Sequence, residues 1–218
     1  MTATPSPPNG PRCVRSPVPS SAERPRSPVR PGSIAWLLVG LLLLLPALAV
    51  YPSPTAEPVL NWQPALWLTE PWRAWSAVWV HLSRQHLLVN LAGGLLVVAL
   101  GVAARVPMRA AIAWATAWPL TQLGLLAMPD LLRYAGLSGV LHAGVAVVAV
   151  VLLRRADAAS RRLGGAIVAV LAVKLLSETP WRGPLAHPEG WDIAVAPLAH
   201  STGAIAGALL AWLLLRRR

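Results

Sequence analysis

The sequence predicts an all-α polytopic membrane protein, a bundle of six transmembrane helices, and three observations carry that reading. The 218 residues are 56% hydrophobic and only 12% charged, with a mean hydropathy of +0.56, against roughly 25% charged in an ordinary soluble domain. The apolar residues arrive in runs of roughly twenty, the length that a helix rising ~1.5 Å per residue needs to cross ~30 Å of hydrocarbon. The basic residues also fall in alternate breaks between those runs, as the positive-inside rule requires.

Taken in order, residues 1–33 hold many Pro and Ser, five Arg and one Glu with no apolar periodicity. Such a stretch cannot bury enough surface to offset the entropy of ordering, and it reads as a disordered, cytoplasmic Pro/Arg-rich tail. The remainder, 34–218, reads as one domain of six spans: Ile34–Tyr51, His86–Ala104, Ala110–Met128, Ser138–Leu153, Leu163–Ser177 and Ala196–Leu215. Ala47-Leu48-Ala49 matches a signal-peptidase site, but the polar leader before it is long for a signal peptide, so this segment reads as a retained span.

With both termini in the cytoplasm, fourteen of the nineteen basic residues lie on the inner side, which nets +12 against −1 outside. A net charge of +11 in a soluble protein would suggest nucleic acid. Here its placement points to a membrane and its lipid, with no nucleic-acid partner. Cys13 is the single cysteine, which excludes an intramolecular disulfide and a cysteine-ligated metal cluster. The outer loop Pro52–Val80 holds Trp62, Trp67, Trp72, Trp75 and Trp79. Indole favours the headgroup boundary, so this loop is expected to lie in the outer interface as short helices.

Polar groups inside spans are costly and therefore candidates for function. His86 and Asn90, four apart at the outer mouth of the second span, share a helix face. They suit hydrogen-bond donation between helices, or polar contact between helices. Ser138 lies between Gly136 and Gly139 at the start of the fourth span. That span has 16 residues, about 24 Å at ~1.5 Å per residue, and falls short of the ~30 Å core. Its hydroxyl is expected at the floor of an outward cavity, with glycines that allow close approach. In the sixth span His200 stands one turn above Gly203 and Gly207, a GxxxG face for close helix packing.

His86, Asn90, Ser138 and His200 thus fall at similar depth on the outer side. Serine with histidine suggests a nucleophile and its general base. His86, Asn90 and the Ser138 backbone N–H then suit an oxyanion site. No carboxylate lies within the spans to orient His200, so a Ser-His dyad is expected rather than a triad.

At these residues the sequence resembles the rhomboid family of intramembrane serine proteases. The matching elements are Trp72-Arg73 in the outer loop, the set His81, His86 and Asn90, the Gly-x-Ser-Gly around Ser138, and Ala-His-x-x-Gly-x-x-x-Gly from Ala199 to Gly207. The resemblance implies hydrolysis of a peptide bond in or beside a transmembrane segment, with Ser138 as nucleophile, His200 as base, His86 and Asn90 at the oxyanion, and Trp72 and Arg73 as structural residues. It implies no cofactor and no metal. His81 precedes the span and reads as a brace for the outer loop.

Many rhomboids carry a tyrosine one turn after the serine, stacked on the catalytic imidazole; here that position is His142. With this histidine, the stretch Gly136–Gly144 and the compact length look more like the rhombosortase subgroup of bacterial envelopes. The subgroup implies substrates with a C-terminal Gly-Gly, an apolar helix and a basic tail, and a location in the bacterial inner membrane with the active site facing outward. His142 is expected either to stack on His200 or to shift the working pH. Lys174 is expected to snorkel to the headgroups, and His187 to be solvated. Two rivals remain: a catalytically inactive rhomboid-like protein that binds transmembrane helices, and a metal site built on His81, His86, His142 and His200.

Overall fold

A computed structural model describes residues 30–216, and among them every regular element is helical. The expected tail therefore lies outside the described residues up to 29, while its last residues already belong to the first helix. That helix, α1 (Pro31–Val50), starts on a proline at its first position, where the missing N–H costs nothing. Two short helices follow in the outer loop, α2 (Ala56–Leu60) and α3 (Arg73–Ser76), together with 3₁₀ turns at Pro64–Leu66 and Ala77–Trp79.

The core helices are α4 (Arg84–Ala103), α5 (Met108–Leu123) with a 3₁₀ extension Gly124–Ala127, α6 (Ser138–Leu153), α7 (Ala158–Ser177) and α8 (Pro197–Leu214). All six expected segments are present, with boundaries shifted by no more than five residues. The largest shift is at α7, where Asp157 accepts a hydrogen bond from Ser160 N at 2.7 Å. This cap starts the helix ahead of the apolar run. Among the described residues four helices are long and apolar enough to cross a membrane: α1, α4, α5 with its extension, and α8. The two others differ for physical reasons. α6 has only 16 residues and is the hub of the bundle, with eleven of them buried inside the protein. α7 has twenty, but carries Arg161 and Arg162 in its first turns and Lys174 near its end.

Around α6 the helices pack through small residues. A Cβ at Gly203 would run into the Gly139 carbonyl, and one at Gly207 into that of Ala143, so α8 lies against α6 at backbone distance through the expected GxxxG face. On the far side Trp36 of α1 and Trp114 of α5 meet with ring centroids 4.2 Å apart. Each indole N–H is satisfied by a backbone carbonyl: Trp36 by Val97 at 3.2 Å and Trp114 by Val140 at 2.9 Å.

The two ends of the bundle differ in chemistry. At one end Arg154 donates to the Leu215 carbonyl at 2.7 Å, and Arg155 donates to the Ala104 carbonyl, so cations satisfy the terminal carbonyls of α8 and α4. The chain enters α4, α6 and α8 from the other end. There the loop after α3 and the loop before α8 come together over the helix starts.

Candidate active site

Ser138 is the first residue of α6, and its Oγ lies 2.9 Å from Nε2 of His200, in the first turn of α8. Two features fix this separation. The close α6–α8 seam one and two turns below leaves no freedom along the helix pair. Before the serine, Gly136 adopts φ +116°, a conformation that L side chains rarely adopt. A Cβ there would also lie 2.5 Å from His86 Nε2. The glycine therefore lets the Ser138 strap turn while it touches the histidine of α4.

That strap is braced by the outer loop. Trp62 and Tyr134 exchange two backbone hydrogen bonds at 2.8 Å each, and Gly136 N donates to Ala77 O at 2.9 Å. Arg73, buried, holds the loop together. It donates to the Pro58 carbonyl at 3.0 Å, to the Asn61 carbonyl at 2.9 Å and to Glu70 at 2.5 Å. Trp72 is half exposed, as are Trp67 and Trp75, so the loop presents indoles outward from short helices.

His86 is oriented from both sides. Its backbone N–H donates to the Ser83 cap at 3.0 Å, and its Nδ1 accepts from Leu82 N at 3.3 Å. The second contact makes Nδ1 the acceptor, so the neutral ring carries its proton on Nε2, beside Gly136. One turn on, Asn90 is buried and its Nδ2 has no partner. Buried donors are almost always paired, and this amide borders the cavity next to Ser138 with a hydrogen bond left to give. The first N–H groups of α6 likewise lack intrahelical partners, and the helix dipole is positive there.

His81 lies beside His86, ring centroids 4.8 Å apart, with Nδ1 3.3 Å from the Trp79 carbonyl. Burial pushes its pKa down to about 4, so it is neutral at ordinary pH and suited to bracing. His142 stacks on His200 at 4.3 Å and 16°, and its Nδ1 donates to the Ser138 carbonyl at 2.6 Å. The stacking expected of this position is thus present. His187 is exposed. Among the described residues no three His, Cys, Asp or Glu side chains are placed to share a metal ion; the four imidazoles form two pairs, His142 stacked on His200 and His81 tilted at 56° against His86.

Sequence reasoning missed two residues. Tyr134, buried, lies with its hydroxyl 3.5 Å from Ser138 Oγ and 3.2 Å from the Gly136 carbonyl to which it donates. Burial raises its pKa, which keeps the phenol protonated. Glu178 is the second. It caps the end of α7, and its Oε2 lies 2.7 Å from His200 Nδ1. The expectation that no carboxylate orients His200 therefore fails, because the acid stands one residue past the span rather than within it. Lys174 pairs with the same carboxylate instead of reaching freely to headgroups. Burial alone would raise the Glu178 pKa, but its contacts with His200 and Lys174 outweigh that and hold it at about 2.

Ser138, His200, His142, His86, Asn90 and Glu178 all border one cavity of about 930 Å³. It continues down between α4 and α7 along Val89, Leu96, Ala166 and Val170, and its mouth is roofed by Pro188, Trp191 and Val195. The roofing loop is tied to the start of α4: Ser83 donates to Asp192 at 2.8 Å and Gln85 to the Gly190 carbonyl at 2.8 Å.

No curated protein sequence matches the chain closely enough to count as a relative. The model of the rhomboid domain, by contrast, matches residues 68–217, more than two thirds of the chain, and spans every one of these cavity residues. An all-helical bundle with membrane-spanning helices and this match together place the chain in the rhomboid family of intramembrane serine proteases.

Proposed function

We propose that the protein is an active intramembrane serine endopeptidase in which Ser138 is the nucleophile and His200 its general base. The observation that carries this reading is the 2.9 Å contact between Ser138 Oγ and His200 Nε2 at the head of an apolar cavity. As Oγ attacks the scissile carbonyl carbon, its proton passes to Nε2 and the carbonyl electron pair moves to oxygen. The resulting oxyanion is received by Asn90 Nδ2, His86 Nε2–H and the Ser138 N–H, donors on residues that line the same cavity as the serine and are held by the fold before substrate arrives. Collapse breaks the C–N bond, and His200 returns its proton to the leaving amine. Water then repeats the sequence on the acyl ester.

The substrate is proposed to be a membrane-anchored protein whose transmembrane segment lies in the groove between α4 and α7. The apolar lining supports this. The finer assignment, a rhombosortase-like enzyme acting at a C-terminal Gly-Gly anchor in a bacterial inner membrane, is supported by His142 and the surrounding Gly136–Gly144 stretch. The arginine-rich end then faces the cytoplasm with both termini, and the active site faces outward.

The test is fluorophosphonate labelling of the purified full chain in detergent, beside Ser138→Ala and His200→Ala. Labelling that requires both residues is the expected result. A folded wild-type protein that does not label overturns the reading and favours a non-catalytic helix binder. For the substrate, a single-span reporter with Gly-Gly before its helix should be cut, and a Val-Val version should not.

A further inference from the structure

We propose that Glu178 is a positioning residue that completes a Ser138–His200–Glu178 relay. This rests on the serine-protease reading above. Glu178 and Lys174 are four apart on α7, and such a pair is by itself an ordinary helix contact. What sets this one apart is the division of the carboxylate. One oxygen meets Lys174, and the other lies 2.7 Å from His200 Nδ1, across to a different helix. With Nδ1–H donated to Glu178, the lone pair of the neutral ring is at Nε2, where Ser138 Oγ stands at 2.9 Å. A ring of the other tautomer would present N–H to the serine and could not take its proton.

The groups that face His200 are His142 stacked from α6, Ser138 from α6 with the Tyr134 hydroxyl behind it, His86 from α4, and Lys174 and Glu178 from α7. Asp192, on the roofing loop, accepts from Ser83. Glu178 is thus the negative charge in direct contact with the imidazole. It opposes the positive field of Lys174 and stabilises the imidazolium that forms as Oγ attacks. The carboxylate takes no proton. The proton moves from Oγ to Nε2 and later to the leaving amine, while Nδ1–H stays on the ring throughout.

A fully buried carboxylate in this role is worth up to about 10⁴ in rate. Glu178 is partly exposed, with 23% of its side chain accessible, and shares its charge with Lys174, so about a 10- to 100-fold effect is expected. The experiment measures the rate of fluorophosphonate labelling of the full chain from about pH 5 to pH 9 for wild type, Glu178→Gln, Glu178→Asp and Lys174→Gln, with thermal melts alongside. Labelling needs neutral His200, so its rate rises with pH along an acid limb. Removing the negative charge in Glu178→Gln makes protonation of the ring less favourable. The limb should move to lower pH while the plateau falls about 10- to 100-fold. Lys174→Gln should move the limb the opposite way, and Glu178→Asp should recover part of the plateau.

A Glu178→Gln variant with the wild-type plateau and limb overturns the proposal while leaving the protease reading intact. A lower plateau with an unmoved limb also overturns it, because a merely structural loss does not shift a titration. Absence of labelling in a folded wild type overturns the protease reading, and the relay with it.

Discussion

The seam between α6 and α8 and the neighbouring helix α7 are built on opposite principles. In the seam, Gly139, Ala143, Gly203 and Gly207 bring two backbones together so closely that a methyl group at either α8 glycine would overlap a carbonyl of α6. In α7 only Gly164 of twenty residues is buried, and the face toward α4 is left as an apolar cavity wall. The seam carries the two groups whose separation must be held to fractions of an ångström, Ser138 and His200. The loosely held helix carries the wall of the proposed access route and Glu178, the residue proposed to tune the histidine. Precision and access are thus assigned to different helices, and α6 is the partner common to both.

The largest effect should come from forcing the seam apart. Gly207→Leu places a branched side chain where the Ala143 backbone already sits. Overpacking of this kind costs about 1–3 kcal/mol or more, and here backbone rather than side chains would have to yield. Fluorophosphonate labelling of Ser138 should be lost and the thermal midpoint in detergent should fall clearly. A variant that melts and labels like wild type would show that the seam does not set the site.

Next in size is the donor on the opposite wall. Asn90→Ala removes an amide with no partner in the resting protein, so stability should change little. The kcat for a cleaved reporter should fall by about 10² with KM near wild type, the signature of a group used only in the transition state. A change confined to KM would assign Asn90 to substrate binding instead.

The seam was legible in the sequence and the loose helix largely was not. Hydropathy located every core helix, and the spacing of His200, Gly203 and Gly207 announced both the histidine beside Ser138 and its packing face, because these signals are periodic along one helix. Ser138 stood out because a short span between glycines is expected to open on a cavity, and it does line one. Glu178 was missed for the complementary reason. It lies just past a span, in a polar loop where a carboxylate costs nothing and attracts no attention, and its contact with His200 is made across 22 residues by the fold. Lys174, read as a snorkelling cation, was misjudged together with its partner. Tyr134 gave no signal beyond its place four residues before the serine.

A smaller effect should separate the access route from the chemistry. Ala166 faces the cavity from α7, eight residues and about 12 Å along the helix from Lys174. Ala166→Trp should fill the groove there without touching the site. Labelling by a small fluorophosphonate should be unchanged, while cleavage of a single-span reporter should fall by about tenfold, since a transmembrane segment loses its berth and a small probe does not. Equal loss in both assays would mean that the tryptophan reaches the catalytic residues, and equal retention would place the substrate elsewhere.

The smallest effect offers the finest comparison, because α7 carries both kinds of glycine side by side. A Cβ at Gly164 would meet Leu153 N at 2.9 Å and Ala149 O at 3.0 Å, whereas at Gly165 it would meet nothing within 4 Å. Gly165→Ala should therefore gain the helix preference of alanine, about 0.5–1 kcal/mol, and raise the thermal midpoint by roughly 1–3 °C with labelling unchanged. Gly164→Ala receives the same gain but must push α7 off α6, and should melt below wild type. If both substitutions stabilise, α7 is free to shift on its one buried contact and its looseness extends to the α6 interface. If both destabilise, the outer face of α7 is packed against something beyond this chain, and the contrast with the seam is one of partner rather than of tightness.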